Sequence, residues 1–130
     1  MMDYSTIMRA WKRACAVGFA AAFVSNPAHA GAADVLAVDV HAQGDGYRFS
    51  ATIRSADRGW QRYCDRFEIL APDGRVLATR ILVHPHVDEQ PFTRSLDDVR
   101  IPGDVGHVVV RARMKPDGAS GATIRVTWPP

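Results

Sequence analysis

Tyr47-Arg48-Phe49-Ser50-Ala51-Thr52-Ile53-Arg54 decides the fold. Apolar and polar residues alternate strictly along it, and successive side chains of a strand point to opposite faces. Tyr47, Phe49, Ala51 and Ile53 therefore define a face to be buried, and Arg48, Ser50, Thr52 and Arg54 a face for water. Upstream, across a Gly44-Asp45-Gly46 turn, Leu36, Val38 and Val40 alternate with Ala37 and Asp39. Downstream, residues 55–59 form a polar loop, and residues 60–70 read as a third strand with Phe67 and Ile69 inward. Pro72-Asp73-Gly74 is a tight turn, because Pro presets φ and Gly accepts positive φ. It joins that strand to residues 75–83 as a hairpin.

The rest of the chain repeats the pattern. Residues 92–96 form a short or edge strand, and Ile101-Pro102-Gly103 turns the chain. Residues 107–114 place Val108, Val110, Ala112 and Met114 on one face. A Gly- and Pro-containing loop over 116–121 precedes a last strand whose inward side is Ala122, Ile124, Val126 and Trp128. Short strands with turn signals every ~8–12 residues predict an all-β fold: a single antiparallel immunoglobulin/fibronectin-like β-sandwich of about seven strands. A small barrel is the alternative. Trp60 on the third strand matches the core Trp of immunoglobulin-like domains, without their flanking Cys pair.

The first thirty residues have a different character. Arg9, Lys12 and Arg13 precede an uncharged run over residues 14–24, Ser25-Asn26-Pro27 breaks it, and Ala28-His29-Ala30 supplies a small–x–small site. This is the layout of a cleaved signal peptide, 1–30, ahead of a sandwich domain, 31–130. The apolar run is too short for a bilayer span, which needs about 20 residues. No lipobox leads into Cys15. A cut after Ala28 would leave His29 first, a copper-chelating terminus, but Asn26 fits that site poorly. The chain has 130 residues, 47% hydrophobic and 23% charged, which is globular composition for one domain. Its formal charge of +2 lies wholly in the leader, so the remainder is neutral. A neutral domain has no footprint for nucleic acid or anionic lipid. The expected location is periplasmic or secreted, with no stable membrane anchor.

Two stretches could carry function. His84-Pro85-His86-Val87-Asp88-Glu89 sets two imidazoles on one side of an extended backbone, since Pro85 biases His84 away from helix. Imidazole and carboxylate suit copper or zinc, making His84, His86, Asp88 and Glu89 a candidate metal set, with Cys64, Met114, His41 and His107 in reserve. The plain reading is a connector in which Arg94 pairs with Glu89 or Asp88. The second stretch offers Trp60, Tyr63 and Asp65, with Arg94, as a ligand-facing patch for an unknown protein or small molecule. The plain reading puts Trp60 and Phe67 in the core, Tyr63 half-buried and the arginines in water. Asp65 conflicts with period 2, because it would point inward with Tyr63 and Phe67. A bulge or a partner such as Arg94 would resolve this.

With Cys15 removed, Cys64 is the only thiol, either buried or reactive. No nucleophile elbow, P-loop, dinucleotide fingerprint or zinc-protease motif is present, so the expectation is a non-enzymatic module. Gly59-Trp60…Tyr63, Pro72-Asp73-Gly74 and above all His84-Pro-His-Val-Asp-Glu-Gln-Pro-Phe-Thr-Arg-Ser-Leu96 resemble a family of small, uncharacterised secreted bacterial proteins. That resemblance spans about residues 33–128 and implies an exported, immunoglobulin-like single domain, and it assigns no role to any particular side chain.

Overall fold

The computed structural model describes residues 20–22 and 31–130, so the expected signal peptide, 1–30, lies outside the described residues apart from Ala20–Ala22. The described residues form eight strands and no helix: β1 (Ala20–Ala22), β2 (Ala33–Gln43), β3 (Gly46–Ser55), β4 (Tyr63–Leu70), β5 (Val76–Ile81), β6 (Phe92–Val99), β7 (His107–Lys115) and β8 (Ile124–Thr127). They make two antiparallel sheets, β1-β2-β3-β6 and β5-β4-β7-β8. The chain crosses between layers after β3, β5 and β6, which is the immunoglobulin/fibronectin-like sandwich that the alternation predicts.

Phe49, Ala51 and Ile53 of β3 are fully buried, and so are Val108, Val110, Ala112 and Met114 of β7. Facing Phe67 and Ile69 of β4, they fill the space between the sheets. Each large side chain removed from water contributes roughly 1.5–3 kcal/mol, so this alternation drives closure of the two layers. The solvent side of the first sheet carries hydroxyl pairs across β3 and β6, Ser50–Ser95 and Thr52–Thr93, each at 2.7 Å.

Two expectations about the core need correction. Leu36 is 36% exposed, because a bulge between Val35 and Ala37 resets the register and turns Val35 inward instead. Trp60 is 65% exposed and precedes β4, so it is no core tryptophan. Trp128 packs on the core edge instead, stacked on Phe49 at 5.7 Å and edge-on to Tyr47 at 4.6 Å. The Asp65 conflict resolves as a bulge. Cys64 pairs with Met114 and Arg66 with Arg113, so Asp65 is the extra residue, and its carboxylate accepts from Arg66 rather than Arg94 (2.8 Å).

Antiparallel order gathers four segments at one end of the sandwich: the start of β2, and the β3–β4, β5–β6 and β7–β8 connections. No helix among the described residues is long and apolar enough to cross a membrane.

Candidate ligand-binding end of the sandwich

The three connections at this end are fastened by side chains. Asp57 in the β3–β4 loop is the central fastener. Its Oδ1 accepts from the Ser55 hydroxyl at 2.7 Å and the Cys64 amide at 2.9 Å, and its Oδ2 accepts from the His86 amide at 2.8 Å. Gln90 closes the β5–β6 loop from its far side. Its carbonyl oxygen accepts from the Ser55 amide (2.9 Å), while its amide nitrogen donates to the His86 carbonyl (2.7 Å). Arg62 donates to Asp117 at 2.7 Å, tying the β3–β4 loop to the β7–β8 loop. That bond first, and the Ala119 amide second, hold the Asp117 carboxyl below the ordinary range.

His86 is the buried member of the imidazole pair, at 4% exposure. Its ring stacks on Phe92 with centroids 4.0 Å apart and planes 10° from parallel. Arg94 Nη2 lies 2.9 Å from His86 Nε2 and 3.2 Å from Glu89 Oε1. A guanidinium only donates, so Nε2 accepts and the ring proton sits on Nδ1, which is buried without a partner. Burial first, and the Arg94 charge second, lower the His86 pKa.

The exposed His84 ring lies beside it, centroids 4.5 Å apart, so the two imidazoles do come together. His86 Nε2 receives a cationic donor, and among the described residues no three His, Cys, Asp or Glu side chains form a metal-holding group. Glu89 is the partner of Arg94, as the plain reading had it.

Outside this fastened layer lies a shallow open cleft of about 460 Å³, lined by Gly59, Trp60 and the backbone and side chains of residues 84–89. The Trp60 indole stands on the buried Tyr63 ring, edge-on with centroids 5.8 Å apart. Lys115 covers Tyr63 from another side at 4.9 Å. Asp88 is exposed on the cleft wall, and Val87 is 53% exposed. Of the four predicted ligand-facing residues, Trp60 lines the cleft, Tyr63 supports it and Arg94 lies behind it through His86. Asp65 does not line it.

Cys64 is fully buried, and its thiol donates weakly to the Arg66 carbonyl at 3.6 Å. Burial, before the nearby Asp57 and Asp65 charges, pushes its pKa up to about 12, so the nucleophilic thiolate is scarce. Met114 is core, and His107 begins β7 at the opposite end of the sandwich, so neither reserve ligand approaches the cleft. Sequence reading missed Asp57 and Gln90 as organisers. Asp57 stands in an ordinary polar loop, and only the fold shows which amides it reaches. No family model, curated protein or solved structure matches the chain.

Proposed function

We propose that this chain is an exported, non-enzymatic binding domain, periplasmic or secreted, that takes a ligand or partner at the Trp60–Glu89 end of the sandwich. One observation carries the reading: a 65% exposed tryptophan stands on a cleft whose floor is held by partly buried hydrogen bonds. Trp60 and Val87, both exposed, line the same cleft; contiguous exposed apolar surface marks contact sites, and a tryptophan offers wide contact area at small entropic cost. A floor fixed by Asp57 and Gln90 loses little further freedom on binding, which favours affinity. The complementary ligand presents a flat face to the indole and hydrogen-bond donors to the Asp88 carboxylate. The secretory layout of residues 1–30 supports export, and the neutral remainder argues for a ligand that is not a polyanion.

The test is a glycan and peptide array probed with the exported protein and with its Trp60→Ala and Asp88→Asn variants. Ligands retained by the parent should be lost by Trp60→Ala at unchanged thermal stability. Equal retention by Trp60→Ala would remove this end of the molecule from the reading.

A further inference from the structure

Asp34 is a carboxylate in the wrong place for an ordinary surface strand. It is 2% exposed, yet the charged side chain nearest to it, Arg54 of β3, is itself half in water and 3.7 Å away. Buried anions are costly unless a cation and hydrogen bonds compensate them. Its other donors are backbone. The Ala122 amide donates to Oδ1 at 2.8 Å, and the Gly31 nitrogen lies 2.9 Å from Oδ1 and 3.1 Å from Oδ2. The nitrogen bridging both oxygens belongs to the residue that follows the Ala28-His29-Ala30 cleavage pattern.

The surroundings admit only glycine there. A Cβ on Gly31 would run into the Gly121 Cα and come 2.7 Å from the Ser120 carbonyl. A Cβ on Gly121 would strike the Asp34 carboxylate and the Ala33 carbonyl. Gly31 and Gly121 thus let two backbones touch around the carboxylate, while Gly31 itself remains exposed to solvent.

We propose that hydrolysis of the Ala30–Gly31 bond creates an α-ammonium that pairs with the Asp34 carboxylate and pins the new N-terminus to the β7–β8 loop. The inference rests on the reading of residues 1–30 as a leader removed by a signal peptidase. In that step water is consumed: the C–N bond breaks, Ala30 leaves as a carboxylate, and Gly31 nitrogen becomes –NH3+. One amide proton shared between two oxygens is replaced by three protons and a full positive charge at the same atom. Arg54 is the other charged group near it, and its repulsion of the ammonium is weak because it reaches into water. The carboxylate thus distinguishes the processed chain from the unprocessed one.

The experiment exports the full chain from a bacterial host and sequences the product's N-terminus. The α-amine is then titrated by NMR and its acylation rate measured, folded and in urea. The expected product begins at Gly31. Its α-amine should titrate higher when folded than unfolded and acylate about three- to tenfold more slowly, a tenfold change corresponding to one pKa unit. Asp34→Asn should abolish the difference. If that variant does not fold, the folded-versus-urea comparison on the parent decides alone. A product beginning elsewhere, or no cleavage, overturns both the leader boundary and the pairing. A Gly31 terminus whose amine behaves alike folded and unfolded overturns the pairing and leaves the leader reading intact.

Discussion

His86 sits where burial and the Arg94 guanidinium both oppose protonation. Its folded pKa is lowered, so the unfolded chain binds the proton more readily than the folded one. The contribution to stability is complete above the ordinary imidazole pKa. It declines as pH falls from there toward the lowered value. Urea denaturation at a series of pH values should show this decline, and His86→Phe should flatten it; an unchanged slope would mean another group titrates. Asp57 is the second residue to test. Its carboxylate satisfies two amides and a hydroxyl, and Asp57→Ala strands those donors, which should cost about 2–3 kcal/mol. A loss below ~0.5 kcal/mol, the range of neutral surface changes, would show that the loops are held otherwise. For Cys64, thiol labelling should be slow in the folded protein and fast only on unfolding; rapid native labelling would contradict its burial.

Among the elements, β4 concentrates most of the unusual chemistry. Its outer side carries Glu68, which accepts from Arg111 at 3.0 Å and lies 3.0 Å from Arg113 Nε and 3.9 Å from Arg66 Nε. One carboxylate holds three guanidinium groups, Arg66 of its own strand and Arg111 and Arg113 of the neighbouring β7, each only a quarter to a third exposed. Glu68→Ala leaves those cations facing one another, with an expected loss of about 2 kcal/mol in urea denaturation, larger at low salt. A loss independent of salt would point to packing rather than charge. Strand alternation was legible for β3, β7 and β8, because each is a single buried face interrupted by no extra residue. It misled at Leu36 and at Asp65, where bulges shift the register by one, and a one-residue slip reverses inside and outside. For Asp65 the sequence at least raised the conflict, since a carboxylate cannot be left among core side chains.

At the scale of the whole molecule, the architecture was readable and the site only in part. His84, His86, Glu89 and Arg94 were visible as a dense polar stretch, and the structure does bring them together. Their purpose was not, because the direction of the Arg94 guanidinium depends on where β6 lies beside the β5–β6 loop. Trp60 was visible as a ligand-facing candidate, but its core reading competed because aromatic residues are more often core than surface, and no local pattern distinguishes a tryptophan that stops just short of its strand. The cleft is built from loops two strands apart in the chain, a property of the topology rather than of any segment. Trp60→Ala should leave stability within about 0.5 kcal/mol of the parent, since an exposed side chain contributes little to folding. A thermal melt checks this, and a larger loss would make Trp60 structural.

The measurement that bears most directly on this account is a 1H–15N shift map of the protein titrated with the tightest ligand from the array. The Trp60 indole N–H and the amides of residues 84–89 should move together. Shifts confined to the Gly44, Gly74 and Gly103 turns at the opposite end, with Trp60 unmoved, would contradict it.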